Sequence, residues 1–377
     1  MRQTFVNTLR SVLQDQGALL LLVIAPVLYS FFYPWPYLTQ VVQRVPVAVV
    51  DQDHSNLSRQ ITRFVDASPK LRLQVLTSDE GQAQRALKAR QIEGYVVLPK
   101  DLKRDVLRGA PVTIPVSGDG AYFLINKTAL GGLAEAVGTM SAGVEIAQSR
   151  ARGQSGLQAL ASRIPVNIQP IALFNPSEGY GSYVVPAVAV LIVQQLLLIG
   201  TALWVGTWFE TRRTREPARQ WLARIAVFVM LGLASCAYFF GFVFAQFDYA
   251  RAGNPWGAAA LLLPFCWATA ALGAALGALF ADRERSMQVL LATSLPIAFL
   301  GGFSWPLEAL PAPLRALGQC IPAVPGMQGF LRLNQMGASW ADVMPQAVAL
   351  SLQALVYSAL ALALARWRSN NVNVNSR

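Results

Sequence analysis

The residue types best able to do chemistry stand together once, at Asp51, Asp53 and His54 in the run VPVAVVDQDH. Two carboxylates beside an imidazole can ligate a metal ion or share a proton in acid–base work. The same types also favour turns, because an Asx carboxylate accepts from the backbone N–H groups that follow it. The context favours the turn: the cluster ends an apolar run that reads as a strand, and His54 is the only histidine in the chain. Cys236, Cys266 and Cys320 form no C-x-x-C pair, and the first two fall inside apolar runs, so neither a disulfide framework nor a zinc site has residues to build it. The sequence also contains no G-x-x-x-x-G-K-[ST], no G-x-S-x-G and no H-E-x-x-H. Nucleotide binding through a P-loop and those two hydrolytic chemistries are left without support.

The densest charge lies in WFETRRTREPARQW, with Glu210, Arg212, Arg213, Arg215 and Arg219. A basic stretch between two apolar runs either holds one side of a membrane protein in place or, as an amphipathic helix at the interface, receives force from a partner. Gln194, Gln195 and Gln353 are polar exceptions inside apolar runs. The pair Gln194 and Gln195 has two uses, hydrogen bonding between helices or lining a substrate path. Gly273 and Gly277 make a G-x-x-x-G face that lets another helix approach closely, within the chain or in a second subunit. The runs 182–203, 225–247, 257–280 and 346–365 hold no Asp, Glu, Lys, Arg or His. Proton relays and ion-coupled pumps use such residues, so the energy for any transport comes from elsewhere.

These residues need a membrane framework to position them. Of 377 residues, 54% are hydrophobic and 14% charged, against about 25% charged in soluble domains. Residues 1–17 read as a short cytoplasmic N-terminus and 18–37 as the first transmembrane helix, ending in the aromatic group Tyr29, Phe31, Phe32, Tyr33, Trp35 and Tyr37. Pro26 and the bulky residues after the apolar core argue for a retained anchor rather than a cleaved signal. Residues 38–180 read as a periplasmic α/β domain. Its strands are VPVAVVDQD, LRLQVL, IEGYVVLP and VTIPVSGDG. Its short helices are capped at Ser55 or Asn56 and at Ser78, and long helices over 122–163 precede an extended return to the bilayer.

Residues 181–365 hold five more transmembrane helices, at 182–203, 225–247, 257–280, 287–301 and 346–365, of which 287–301 is short for a span. The stretch 302–345, broken by prolines, reads as an amphipathic or re-entrant outer segment that caps the bundle, with Gly301, Gly302, Pro306, Glu308 and Pro311 at its start. Residues 366–377 read as a disordered cytoplasmic tail. Arginines collect in 1–17, 204–224, 281–286 and 366–377, which puts both termini in the cytoplasm. The fold class is an α-helical polytopic membrane protein of six transmembrane helices with an inserted extracytoplasmic α/β domain. Cytoplasmic retention accounts for the net charge of +11, and no basic, aromatic stripe on a soluble face points to nucleic acid.

This layout resembles the membrane subunit of an ABC-2 type exporter, in the subgroup with a large periplasmic domain between the first two helices. The resemblance is most specific in LPIAFLGGFSWPLEALPAPLRALGQCIPAVPGMQGFLRLNQMG, through Leu295, Pro296, Gly301, Gly302, Pro306, Glu308, Pro311, Leu317, Pro322 and Gly337. VPVAVVDQDHSNLSRQITRFV, GYVVLPKDLKRDVLRG and FNPSEGYGSYVVP also match. The resemblance implies a permease that is not itself an enzyme and binds no cofactor, with ATP and Mg on a separate cytoplasmic ABC ATPase. It implies a second permease subunit, as homodimer or paralogous heterodimer, and often a periplasmic membrane-fusion adaptor and an outer-membrane channel. The family's coupling loop carries E-R-E-x-G-T. Here Glu210, Arg212 and Arg213 occupy a similar place and the Gly-Thr is absent. The other reading is a non-transporting membrane scaffold whose periplasmic domain binds partner proteins.

Overall fold

The structure, a computed structural model, describes residues 1–151, 173–176, 178–211, 216–251 and 253–375. They form two compact units, Met1–Gln40 with Ala172–Arg377, and Val41–Ile171. The chain opens with helix α1 (Arg2–Gln14), where the sequence reads only as a short polar stretch; it buries Thr8 and Val12, one turn apart on one face. Asp15 then leaves helical geometry and caps α2 (Gln16–Tyr37), its carboxylate accepting from the Ala18 N–H at 2.9 Å. Helix α2 widens to a π turn over Leu20–Ile24, just ahead of Pro26. Proline has no N–H to close the bond to the carbonyl four residues back, and a π turn absorbs that loss.

The inserted unit is a four-stranded sheet in the order β2-β1-β3-β4. The strands are β1 (Val45–Asp51), β2 (Leu71–Thr77), β3 (Gly94–Leu98) and β4 (Val116–Gly118). β1 pairs parallel with β2 and β3, and β4 joins antiparallel at the edge. α3 (Asn56–Ala67) links β1 to β2, α4 (Glu80–Lys88) links β2 to β3 across β1, and α5 (Leu102–Leu107) and α6 (Phe123–Ala151) follow. The run VPVAVV is apolar throughout because both faces of β1 are covered: Val47 and Val49 pack with Ile61, Val65 and Leu133, while Ala48 and Val50 pack with Ala83 and Ala86. The expected fourth strand shrinks to three residues because Pro115 lacks a ladder N–H. Ser55 is the cap of α3. Asp79, not Ser78, caps α4, accepting from the Gly81 N–H at 2.8 Å. The expected helices over 122–163 are described as one helix to Ala151; residues 152–163 and most of the extended return lie outside the described residues.

The other unit continues with α7 (Tyr180–Thr211), α8 (Ala218–Gln246), α9 (Pro255–Phe280), α10 (Arg283–Ala292), α11 (Ser294–Leu300), α12 (Ala312–Gln319), α13 (Ala323–Asn334) and α14 (Met344–Asn375). Five helices, α2, α7, α8, α9 and the segment Ala341–Asn370 of α14, are long and apolar enough to cross a membrane. Five of the six transmembrane helices expected from the sequence thus have such a helix among the described residues. The expected fifth, at 287–301 and short for a span, is broken at Thr293 into α10 and α11. The cause is Pro296, which cannot donate to the Ala292 carbonyl and whose ring excludes it, yet is tolerated in the first turn of α11. At the break the Leu290 carbonyl accepts from both the Thr293 backbone N–H, at 3.2 Å, and Thr293 Oγ1, at 2.7 Å.

Helix α7 is the hub: 94% of its apolar window is buried, against 22% for α14. Its neighbours define two ends of the unit. Tyr37 of α2 lies against Tyr180 at the start of α7, with ring centroids 5.6 Å apart. Toward the other end, Leu22 packs on Gly200, and Trp204 Nε1 donates to Ser11 Oγ. Helix α9 runs parallel to α7. It starts beside the turn at Asn334–Ala338, where the Gly253 N–H donates to the Asn334 carbonyl at 3.0 Å and Asn254 Nδ2 to the Ala338 carbonyl at 2.9 Å. It ends near Arg368, whose Nε donates to the Ala278 carbonyl at 3.1 Å. Between Arg283 and Asn334 the chain therefore passes from the Asp15 end of the bundle to the Tyr37 end. The tail expected to be disordered from residue 366 instead continues α14 to Asn375, held by the Arg368 contact and by Ser369 Oγ on the Ala365 carbonyl.

Candidate coupling site at the Asp15 end

Three chain segments meet at this end, the start of α2, the end of α7 and the start of α10. Asp15, already fixed as the cap of α2, takes both amino groups of Arg283, with Nη1 to Oδ2 at 2.6 Å and Nη2 to Oδ1 at 2.9 Å. Two parallel charge-assisted bonds set direction as well as energy. Arg283 Nη1 also donates to Thr207 Oγ1 at 2.9 Å, and the Arg283 backbone N–H donates to Glu210 Oε1 at 2.6 Å. The last turn of α7 is thereby tied to the first turn of α10. Gly206 makes the approach possible: a Cβ there would lie 2.8 Å from the Asp282 carbonyl oxygen. The hydrogen bonds from Arg283 hold the Asp15 carboxyl below the usual carboxylate value, against burial, which pushes it up. Asp15 in turn raises the Arg283 guanidinium.

A second cluster brackets the loop between α7 and α8. Arg224, 5% exposed, pairs with the Glu216 carboxylate just beyond the loop. Its guanidinium lies 3.8 Å from the Trp208 ring centroid and 5.0 Å from that of Trp221. Trp221 stacks on Phe209 at 5.5 Å. Aromatic residues before the loop and a carboxylate after it are thus gathered by one buried cation.

Of the expected coupling residues, Glu210 is in this site and engaged with α10. Arg219 is exposed on the first turn of α8. Arg212, Arg213 and Arg215 lie outside the described residues. The structure does not bring the other expected site residues here. Gln194 and Gln195 lie midway along α7. Gln195 Nε2 donates to Ser294 Oγ at 2.6 Å, and Gln194 Oε1 accepts from the Ala323 N–H, so the pair bonds to α11 and α13. Gln194 also borders an apolar cavity of 270 Å³ with Leu272, Leu290 and Ile297. Gly273 and Gly277 face α7, where a Cβ would lie 2.8 Å from the Leu198 carbonyl oxygen and 2.5 Å from that of Ala202.

Gly301, Gly302, Pro306, Glu308 and Pro311 form the turn after α11. Gly302 has φ +86, a conformation that disfavours a side chain, and Glu308 is exposed in a single 3₁₀ turn. Sequence reasoning missed Asp15, Thr207, Glu216, Arg224 and Arg283 as site residues. The only signal of the four charged ones was an acid or base at the edge of an apolar run, and Thr207 carried none.

In the inserted unit, Asp51 acts as a turn residue. Its carboxylate accepts from the backbone N–H of Asp53 at 3.1 Å and of His54 at 2.9 Å, and from Ser58 Oγ at 2.8 Å. Among the described residues no group of three or more His, Cys, Asp or Glu is placed to hold a metal ion.

The profile of a family described as ABC-2 family transporter protein matches residues 17–363. No curated protein matches the chain. Members of that family are non-catalytic permease subunits and typically pair with a cytoplasmic ATPase subunit. With its bundle of long apolar helices and its α/β unit between α2 and α7, this chain belongs to the ABC-2 transporter family as a permease with an inserted non-membrane domain.

Proposed function

We propose that this chain is the permease subunit of an ATP-driven exporter that moves an amphiphilic or other small substrate out across the bacterial inner membrane. ATP and Mg are held on a separate cytoplasmic ATPase. The observation that carries this reading is the joining of α2, α7 and α10 through Asp15, Thr207, Glu210 and Arg283, beside the basic loop. A displacement of that loop reaches the first helix and the broken crossing through charge-assisted bonds rather than through a flexible joint. Glu210, Arg212, Arg213, Arg215 and Arg219 are the residues proposed to meet the ATPase.

With the Asp15 end in the cytoplasm, both termini are cytoplasmic and the inserted domain is periplasmic. The passage from Arg283 to Asn334 then serves as the sixth crossing. Its irregular backbone is supported by Gln194 and Gln195, as non-helical chain at membrane depth requires. Helix α14 leaves Val348, Leu352 and Leu355 uncovered, a face suited to lipid or to a second permease subunit, identical or paralogous. A membrane-fusion adaptor on the periplasmic domain and an outer-membrane channel complete the proposed assembly.

The test is purification of the tagged chain in mild detergent with its partners, followed by transport in vesicles. A co-purifying P-loop ATPase, and loss of transport with retained folding when the five charges are neutralised, is the expected result. Transport retained with all five neutralised overturns the coupling role. Complexes that never contain an ATPase favour the scaffold reading instead.

A further inference from the structure

The inserted unit holds a groove of 890 Å³ bordered by α3, α5 and α6. That volume is in the range of small-molecule sites, roughly 300–1,000 Å³. Its walls include Leu57, Phe64, Val106, Leu107, Met140 and Val144. Phe64 is 42% exposed and Leu107 70% exposed, so these two side chains lie outside the sheet core, against which Leu57, Val106 and Met140 pack. A second cavity of 500 Å³ shares Leu57, Val106, Met140 and Val144 with the first.

Arg63 and Lys103 line this groove, both exposed, and among the described residues its lining holds no carboxylate. Among the described residues neither the Arg63 guanidinium nor the Lys103 ammonium has an ion-pair partner. The remaining polar lining, Asn56 and Gln60, is neutral. An uncharged apolar ligand would leave both cations idle, and a cationic amphiphile would be repelled by them. A ligand with one long apolar chain and an anionic head uses both features, burying the chain along the leucine, valine and methionine wall and pairing the head with the two cations.

We propose that this groove is a binding site for an anionic amphiphile of the long-chain carboxylate type. The site is independent of the transport reading and stands whether or not the chain couples to an ATPase.

The experiment uses the full-length chain in lipid nanodiscs. The probes are a long-chain fatty acid with a diazirine near its chain end and the matching primary alcohol, with crosslinked peptides mapped by mass spectrometry. The fatty acid is expected to label peptides containing Phe64, Leu107 and Met140. Losing charge-assisted bonds to the head should cut that labelling by about tenfold, both for the alcohol and for the double variant Arg63→Gln/Lys103→Gln. Both substitutions are at exposed positions, and unchanged labelling of the long apolar helices controls for folding. Equal labelling by acid and alcohol, or labelling indifferent to the double variant, overturns the anion claim. Labelling confined to the long apolar helices, or a co-purified protein that shields the groove from both probes, overturns the site.

Discussion

Asp15 and Arg283 are 268 positions apart, yet their side chains meet in a two-bond ion pair that closes one end of the helical unit. The pair is partly buried, with side-chain exposures of 17% and 32%. Arg283 therefore does several things at once, bonding α2 through Asp15 and α7 through Thr207 and Glu210.

Breaking this pair on one side should destabilise the chain. Asp15→Asn or Arg283→Gln is expected to cost about 1–3 kcal/mol, because the remaining group keeps its burial and loses its charged partner. The exchange Asp15→Arg/Arg283→Asp should recover part of the loss. Thermal unfolding of the detergent-solubilised protein is the check. An exchange variant no better than the singles would mean that neighbours other than the pair set the geometry.

The same pair predicts a pH dependence. The folded Asp15 carboxyl lies below its unfolded value of about 3.9. Its stabilisation is then fully present above that unfolded value and is lost as pH falls through the lower, folded one. The melting difference between the natural chain and Asp15→Asn should be constant above about pH 5 and shrink as the pH falls below about 4. A difference that stays level down to pH 3 would contradict the assignment.

Arg224 and Glu216 allow a sharper test of the loop anchor. Glu216→Gln strands a cation that is only 5% exposed and should cost about 3–5 kcal/mol. Arg224→Met/Glu216→Gln removes the stranded charge and should cost less than that single change, since an apolar side chain can still lie against Trp208 and Trp221. Melting curves of the two single variants and the double variant, read as a cycle, give the coupling directly.

The glycine face of α9 makes a steric prediction. Gly277→Ala places a Cβ against the Ala202 carbonyl oxygen, which would lie at 2.5 Å, and Gly273→Ala does the same at Leu198. Overpacking of this kind costs about 1–3 kcal/mol. Gly241→Ala, where nothing lies within 4 Å, is the control and should leave stability nearly unchanged. If all three variants melt alike, the closeness of α7 and α9 is not what Gly273 and Gly277 provide.

The sequence by itself determined what depends on short-range pattern. Uninterrupted apolar runs located the long helices and set α2 and α9 to within two residues at each end, because a segment near 20 apolar residues has few other stable environments. The alternation of apolar strands with capped helices announced the α/β insertion, and of the two caps it offered for α3, Ser55 and Asn56, the structure uses Ser55. Pro296 was visible within the short fifth run, although its effect, a break at Thr293, follows only when the backbone is traced. The tertiary structure alone decided which edge charges form a site. Arg283 and Arg224 read as two more positive residues on one side of a bilayer, and Asp15 as a lone acid near the N-terminus. Their partners sit on other elements, and nothing local in the chain encodes a pairing across 268 positions. Charge placement obeys the solvent boundary, which periodicity reveals. Charge pairing obeys the packing of α2, α7 and α10, and that exists only once the helices have assembled.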